Sequence, residues 1–157
     1  MTKSSFLLLT GLCLALTFTS CSDDDGVQIS YETDPNSLYA RLGGINAIAA
    51  VTDQFLANVA ADNVINARFA ATVADPFRTL LLRNNLIDQI CEGSGGPCKY
   101  KGLNMLDAHK DMNISQVEFN ALVGDLVAAL DKFSVPQKEK DELLAILGPM
   151  QADIVGK

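Results

Sequence analysis

The chain of 157 residues has one histidine, His109, which lies in the segment YKGLNMLDAHKDMNIS at residues 100–115. An imidazole can bind a metal through a ring nitrogen or exchange a proton near neutral pH. A lone histidine is also often an ordinary surface residue or a hydrogen-bonded member of the core. The residues that surround His109 in the fold must therefore decide between a ligand and a structural residue.

The first 21 residues have the pattern of an export signal rather than of a folded segment. Lys3 precedes the apolar run FLLLTGLCLALTF, which is too short to span a bilayer as a stable helix. The run ends in FTSC, which resembles the lipobox of bacterial lipoproteins, whose cysteine is lipidated and becomes the first residue of the mature chain. This resemblance predicts a signal peptide over residues 1–21 and a lipid anchor on Cys21. Ordinary secretion with cleavage nearby is the alternative.

Residues 22–36 separate the predicted anchor from the rest of the chain. This segment is acidic, contains the triplet Asp23–Asp25 and has too few apolar residues to pack into a core. We expect it to be a flexible tether. Its acidic triplet either resembles the surface-export tethers of some Gram-negative lipoproteins or is a charged spacer that keeps the domain off the lipid. The remaining residues, 37–157, suffice for one domain with a substantial core.

The charge of the chain limits its partners. The formal net charge is −7, and removal of Lys3 with the signal would make it −8. Such an acidic protein is poorly suited to bind nucleic acid or to be held on anionic lipid by charge alone. We therefore predict no nucleic-acid partner and a membrane attachment through the lipid on Cys21. The predicted location is the bacterial cell envelope, facing the periplasm or the cell surface.

Two of the four cysteines remain in the predicted domain, Cys91 and Cys98, within CEGSGGPC. In an oxidising compartment a single remaining pair is most simply a disulfide, and the glycines and proline between the two allow the chain to bend. A zinc site is the weaker interpretation, because two thiolates without a nearby histidine or further cysteine make a poor set of ligands.

Helical patterns fill the domain, and no segment keeps the alternation of a strand. Apolar residues recur at helical spacing over residues 45–60, and a shorter piece leads toward Phe69. Asp75-Pro76 predicts the start of a helix that runs to Cys91, and MLDAHK predicts a short helix that carries His109. The domain is therefore predicted to be all-α.

Two further helices are predicted after His109. Ser115 and Glu118 have the spacing of a capping box at the start of a long helix. Ser134 and Pro136 repeat the start pattern for a last helix, whose apolar positions extend to Val155. These two helices could form one wall of a cavity, into which the short helix before them presents His109. An apolar interior with one presented imidazole is compatible with a flat apolar cofactor such as haem.

Four segments, in order, resemble the truncated haemoglobins of group I, which have the two-on-two globin fold. SLYARLGG at 37–44 is similar to the opening motif, and FLANVAADNVINARF at 55–69 to the segment that ends in the phenylalanine packed on the haem. GGPCKYKGLNMLDAH at 95–109 resembles the second Gly-Gly motif with the proximal histidine, and VPQKEKDELLAILGPMQADIV resembles the closing helix. The likeness spans nearly all of residues 37–155.

The resemblance implies a haem b cofactor whose iron is bound by His109, the metal ligand. A nearby backbone carbonyl is expected to accept a hydrogen bond from the second imidazole nitrogen and so fix the ring. Apolar side chains are implied to contact the haem, although each could equally be ordinary core. They are Phe69, Met105, Phe119, Ala108, Ile114 and Leu122.

The distal side departs from the family pattern. Many members have a tyrosine after the phenylalanine of the second helix, where its hydroxyl donates to bound oxygen, but here the pair is Phe55-Leu56. The next helix often supplies a glutamine, and the alignment places Arg83 there, with Thr79 one turn earlier. Arg83 could reach inward to a ligand or point outward to solvent or a propionate. Loss of the distal donor weakens the stabilisation of bound dioxygen more than that of carbon monoxide or nitric oxide.

Three functions follow from these features. The resemblance favours a haem protein that reversibly binds a diatomic gas (oxygen, carbon monoxide or nitric oxide) for oxygen transport, scavenging or sensing, rather than an enzyme. The alternative is a nitric oxide dioxygenase or a peroxidase-like enzyme, which would need an external redox partner because the chain has no flavin or nicotinamide motif. A helical lipoprotein that has lost its haem is the third hypothesis, and the intact motif around His109 argues against it.

Overall fold

The computed structural model describes residues 33–157, which form seven α-helices and one 3-10 helix. The predicted signal peptide, Cys21 and most of the predicted tether lie outside this range. The α-helices are α1 (Leu38–Arg41), α2 (Gly44–Ala61), α3 (Asn66–Val73), α4 (Pro76–Gly93), α5 (Met105–His109), α6 (Gln116–Lys132) and α7 (Gln137–Leu147). The 3-10 helix spans Gly148–Asp153. Within the described range the all-α prediction is confirmed, and no helix there is long and apolar enough to cross a membrane.

The polar residues at the helix starts explain where the helices begin. The Asp75 carboxylate accepts a hydrogen bond from the Phe77 N–H at 2.9 Å, and Pro76 occupies the first turn of α4, where a missing N–H has no consequence. The capping box predicted for α6 is confirmed: Ser115 and Glu118 each accept a hydrogen bond from the backbone N–H of the other.

Helix α2 is the centre of the fold and packs against both α4 and α6. Its buried residues, such as Ile48, Phe55 and Val59, recur at intervals of one or two turns and form one apolar face. Leu130 of α6 and Leu143 of α7 are almost fully buried in the same core. The arrangement leaves the short α5 away from this core, so that its residues are free to line a site.

The end of the chain differs from the prediction. The last helix was predicted to extend to Val155, but α7 ends at Leu147 and continues as the 3-10 helix. Pro149 explains the change, because its ring clashes with the carbonyl four residues earlier and it has no N–H to donate. Val155 instead pairs with Ile114 in an isolated parallel bridge.

The residues just before α1 are ordered by local hydrogen bonds. Asp34 accepts from the backbone N–H groups of Asn36 and Ser37, and the carbonyl of Asn36 accepts from Arg41. The last few residues of the predicted tether therefore form a turn against the domain. The short helix α1 was not predicted, since it has only four residues.

A disulfide joins Cys91, in the last turn of α4, to Cys98 in the following loop, with their Cα atoms 5.7 Å apart. A Cβ added at Gly96 would lie 2.7 Å from the Cys91 sulfur, so this loop needs glycine there. The Glu92 carboxylate accepts hydrogen bonds from the Tyr100 N–H at 2.8 Å and the Lys99 ammonium at 3.0 Å, which lower its pKa. The connection from α4 toward α5 is thus fixed covalently and by charge-assisted hydrogen bonds.

A second link holds α3 against α6. The Arg68 guanidinium donates to both oxygens of Glu118, at 2.6 and 3.2 Å, and to the Met112 carbonyl at 2.9 Å. The pKa of Glu118 is lowered to about 2, chiefly by Arg68 and next by the backbone N–H and hydroxyl of Ser115. Since α3 otherwise has no fully buried residue, this pair is a major restraint on its position.

Removal of the disulfide should destabilise the protein by an amount set by its short loop. We expect a Cys91→Ser/Cys98→Ser variant to lose roughly 2–3 kcal/mol of unfolding free energy, because closing a loop of this length restricts the unfolded chain. Denaturant unfolding without reductant would measure this loss. Reductant should lower the stability of the unmodified chain and leave the variant unchanged. Equal unfolding free energies of the variant and the unmodified chain without reductant would contradict a structural role for the disulfide.

The Arg68–Glu118 pair should make stability depend on pH in the acid range. Because the pKa of Glu118 is about 2 in the folded chain and near 4.5 when unperturbed, its contribution is complete above pH 4.5 and is lost as the pH falls toward 2. We expect Glu118→Gln, which keeps an acceptor for Ser115, to have a melting temperature a few degrees below that of the unmodified chain at pH 7. Near pH 2 the two melting temperatures should be equal. Asp141→Asn, an exposed carboxylate on α7, is the control. A melting difference independent of pH would exclude the ion pair as its cause.

Candidate functional site

A cavity of about 690 Å³ lies between α2, α3, α4, α5 and the start of α6. This volume is within the range of pockets that enclose small molecules and cofactors. Most of the side chains around it are apolar, and a few polar and cationic ones are present. Its apolar lining includes Phe55, Leu56, Phe69, Leu82, Leu86, Met105, Ala108, Ile114, Phe119 and Leu122.

His109 lines this cavity from the end of α5. Its Nδ1 lies 2.8 Å from the carbonyl oxygen of Met105, one turn earlier in the same helix. A carbonyl can only accept, so Nδ1 carries the hydrogen and Nε2 keeps the lone pair that a metal would use. The backbone acceptor expected from the sequence is therefore present, and the ring is prepared as a ligand.

Local contacts explain why α5 begins where it does. The Asn104 side chain accepts from the Asp107 N–H at 2.8 Å and so caps the N-terminus of α5. Just before it, the Tyr100 hydroxyl donates to the Leu103 carbonyl at 2.7 Å, which closes a tight turn over Gly102. A Cβ at Gly102 would collide with the Tyr100 ring. Tyr100 and Gly102 thus form a turn that sets the position of the helix bearing His109.

The structure brings together most of the residues implied for the cofactor site. The ligand His109 and the apolar residues Phe55, Leu56, Phe69, Met105, Ala108, Ile114, Phe119 and Leu122 all line the cavity. Phe55 and Phe119 are buried and also belong to the core, so their burial does not by itself assign them to a cofactor. Their position around the same cavity as the imidazole is the stronger observation.

Arg83 and Thr79 do not line the cavity, contrary to the alignment that placed them at the distal position. The Arg83 guanidinium donates to both carboxylate oxygens of Asp53 on α2, and this pairing lowers the pKa of Asp53. The Thr79 hydroxyl donates to the Thr72 carbonyl at 2.8 Å. Successive side chains of an α-helix point about 100° apart around its axis. Arg83, which follows Leu82, therefore points away from the face of α4 that lines the cavity.

The inner face of α4 is formed by Leu82, Leu86 and Gln89, with Leu81 and Asn85 beside them. Sequence reasoning missed these residues because it aligned the helix to the family's glutamine rather than to its own start. The helical period counted from the Asp75 cap through the leucine run could have identified them. Where the family resemblance places the distal side, Leu56, Leu82 and Leu86 line the cavity without a hydrogen-bond donor in their side chains, and Asn85 and Gln89 line it with amide donors.

Gln89 also supports Met105, the residue whose carbonyl orients His109. Its amide nitrogen lies 3.6 Å from the Met105 sulfur and 3.4 Å from the sulfur of Met150, in the 3-10 helix. Thioether sulfur is a weak acceptor, so these contacts position the methionine side chains more than they stabilise the fold.

Cationic side chains also line the cavity, and they were not predicted from the sequence. Arg68, Arg78 and Lys101 are all in its lining, although the chain as a whole carries a net charge of −7. Arg68 is neutralised by Glu118, and the side chain of Arg78 is 64% exposed, 3.7 Å from Asp75. Exposed cations beside an apolar cavity can bind the carboxylates of an amphipathic ligand whose apolar body lies inside.

The part of the chain that the structure describes contains no group of three or more His, Cys, Asp or Glu side chains arranged for a bare metal ion. The two cysteines of the zinc alternative are bonded to each other instead. A metal at His109 would thus need further ligands from a cofactor, such as the pyrrole nitrogens of a porphyrin.

Comparisons with known proteins agree with this geometry. A sequence profile described as Bacterial-like globin matches residues 37–155. The chain is 32% identical over 130 residues to the Group 1 truncated hemoglobin of Tetrahymena pyriformis, which covers 78% of this chain and 98% of that protein. It is 28% identical to Group 1 truncated hemoglobin GlbN of Mycolicibacterium paratuberculosis, over 78% of this chain and 87% of the relative.

Solved structures show the same fold. The Fe(III) form of truncated hemoglobin from Tetrahymena pyriformis superposes with a TM-score of 0.70 at 30% identity, over 77% of this chain and 99% of that one. The 2/2 hemoglobin from Synechococcus sp. PCC 7002, in the cyanomet state and with covalently attached heme, gives 0.68 at 28% identity, over 76% and 98%. The chain belongs to the bacterial-like globin family and is a truncated globin of group 1 with the two-on-two fold.

Proposed function

We propose that this globin holds haem b in the cavity through Nε2 of His109 and reversibly binds a diatomic gas on the opposite side. The observation that carries the proposal is the hydrogen bond from His109 Nδ1 to the Met105 carbonyl, because it leaves Nε2 as a ligand within an apolar cavity. The truncated haemoglobin relatives support haem as the cofactor and a gas as the ligand.

The residues present fit a haem group in size, polarity and charge. The cavity of about 690 Å³ has a mainly apolar lining for a porphyrin, and Arg78 and Lys101 offer cations for its two propionates. Phe69, Met105 and Phe119 would contact the porphyrin, as the family resemblance implies. When bound, haem supplies an iron with an open coordination position, which neutral diatomic molecules can occupy reversibly.

The protein side of the mechanism is the choice of gas. A hydrogen bond to a partly charged acceptor contributes about 1.5–3 kcal/mol, and dioxygen depends on such a donor more than carbon monoxide or nitric oxide does. Leu56, Leu82 and Leu86 offer none, whereas Asn85 and Gln89, which line the cavity from the same helix as Leu82 and Leu86, carry amide donors. A bound gas that is faced by the three leucines lacks this hydrogen bond, which favours carbon monoxide and nitric oxide relative to dioxygen.

We further propose that the protein is exported and anchored to the cell envelope by lipid on Cys21. The lipobox-like FTSC segment and the preceding apolar run support this location. The Cys91–Cys98 bond also supports it, because disulfides persist in oxidising compartments and are rare in the cytosol. Within the envelope, scavenging or sensing of a gas fits the weak distal polarity better than high-affinity oxygen storage does.

The function is tested by comparing the absorption spectrum of the full-length chain supplied with haem with that of the His109→Ala variant treated in the same way. We expect a Soret band that shifts on reduction and again with carbon monoxide, and its collapse in the variant, because no other imidazole exists in the chain. Lys110→Ala, which changes the exposed residue next to the ligand, should leave the spectrum unchanged. No stoichiometric haem, or a spectrum indifferent to His109→Ala, would refute the proposal.

The distal wall can be tested by restoring a donor. Leu56→Tyr places a hydroxyl inside the cavity and should slow dioxygen release roughly tenfold to a hundredfold, corresponding to one charge-assisted hydrogen bond. Leu56→Phe adds the same ring without the hydroxyl and should leave the release rate within a few-fold of the unmodified chain. Stopped-flow measurement of dioxygen dissociation would decide. Equal rates for the two variants would mean that Leu56 does not face the ligand.

A further inference from the structure

An exposed apolar patch covers the end of α3 and the start of α4. We define the apolar patch as Val73, Phe77, Leu80 and Leu81, which are 59%, 72%, 53% and 50% exposed. Phe77, Leu80 and Leu81 lie at positions i, i+3 and i+4 of α4, so they share one face of the helix. Large side chains of this kind are usually buried, and adjacent exposed ones mark an interaction site in many proteins.

The cofactor site does not explain this patch. Val73, Phe77 and Leu80 are absent from the lining of the cavity, so a bound haem would leave them exposed. Leu81 belongs both to the patch and to the cavity lining, since it lines the cavity and is half exposed. Leu103, in the loop before α5, also lines the cavity and is 64% exposed. The patch therefore extends outward from the mouth of the cavity.

The electrostatics of the patch differ from those of the rest of the chain. Between Ala70 and Leu82 the only charged residues are Asp75 and Arg78, whose side chains lie 3.7 Å apart, so this stretch has no net charge. The whole chain carries −7 and would be repelled by an anionic lipid surface. The patch is thus a face that can approach a membrane without that repulsion.

We propose that the apolar patch docks on the lipid bilayer to which Cys21 is attached, an inference that rests on the proposed anchoring. Because residues 34–37 already form a turn against the domain, the free chain runs from Cys21 to Asp34, which spans at most roughly 45 Å when extended. This reach exceeds the diameter of a domain of this size, so the domain can rotate until the patch faces the membrane. The tether also keeps the domain close to the membrane, which raises the effective concentration of the patch at the lipid. Phenylalanine and leucine are side chains that insert at the boundary between headgroups and acyl chains.

Docking has a direct consequence for the proposed gas site. Because Leu81 belongs to the patch and also lines the cavity, docking of the patch brings this edge of the cavity to the lipid. Small nonpolar gases are more soluble in hydrocarbon than in water. The bilayer then becomes the phase from which the gas enters the cavity.

The test uses the full-length chain, purified with its own anchor and haem and reconstituted in phosphatidylcholine vesicles. A cysteine introduced by Asn84→Cys, exposed one turn after Leu80, carries a fluorophore, while Val117→Cys on α6, a position 68% exposed, carries it in the control. Quenching by nitroxide lipids and by aqueous iodide is measured for both. We expect severalfold stronger lipid quenching at residue 84 than at residue 117, and loss of this difference in Phe77→Ser/Leu80→Ser.

Several results would overturn the docking proposal. Equal iodide accessibility at both positions would mean that the patch faces water. Lipid quenching unchanged by Phe77→Ser/Leu80→Ser would mean that other residues hold the domain on the lipid. Dimers in analytical ultracentrifugation that the same double variant dissociates would assign the patch to a second copy of the chain. Recovery of the chain in the soluble fraction would refute both the proposed lipid anchor and the proposed docking of the patch.

The Soret band of the same samples separates this test from that of the proposed function. Phe77 and Leu80 lie outside the cavity, so the double variant should keep its haem spectrum and its helical circular dichroism. A normal Soret band without lipid quenching at residue 84 would overturn docking alone. Lipid quenching at residue 84 in a chain that binds no haem would uphold docking and refute the gas-binding function.

Discussion

The hydrogen bond from His109 Nδ1 to the Met105 carbonyl oxygen is the interaction on which the site depends. Both groups belong to α5, a helix of five residues that contributes no fully buried side chain. Such a short helix has little intrinsic stability, because helix nucleation is unfavourable and few backbone bonds follow it. The orientation of the imidazole must therefore be supported from outside the helix, and the surrounding structure supplies that support.

Three kinds of support converge on α5. The disulfide and the Glu92 carboxylate hold the loop that leads to it, and the turn between Tyr100 and Leu103 fixes its start. The 3-10 helix Gly148–Asp153 packs against it from the end of the chain. Helix α2, in contrast, is stabilised by its own apolar face between α4 and α6. The domain thus combines a conventional core with a ligand-bearing segment held largely by local polar contacts.

The features that the sequence predicted well are those determined locally. The Asp75-Pro76 start of α4 and the capping box at Ser115 depend on residues within one turn, and both are present. The placement of His109 at a cofactor site was implied by the resemblance of its surrounding motif to the truncated haemoglobins, and in the structure that motif forms a turn with Gly102 against the Tyr100 ring. The all-α class followed from apolar spacing that repeats over whole helices.

The features that were missed depend on contacts distant in sequence. The Arg83–Asp53 pair, which holds Arg83 outside the cavity, joins residues 30 positions apart. Likewise, Arg68, Arg78 and Lys101 meet at one cavity only because three separate segments converge there. No local pattern reports such meetings. Two missed features were nevertheless visible in the sequence: the leucine period of α4 indicates its inward face, and the missing N–H of Pro149 indicates the end of α7.

The disulfide between Cys91 and Cys98 has a consequence for the order of assembly. Thiols remain reduced in the cytosol, so in an exported chain this bond forms only after translocation. Until then the connection from α4 to α5 is held by hydrogen bonds only, among them those of Glu92 and the one between Tyr100 and Leu103. A chain exported as proposed would therefore arrive with the loop before α5 not yet crosslinked, and oxidation would complete that loop there. Such a sequence of events ties maturation of the imidazole site to arrival in the right compartment.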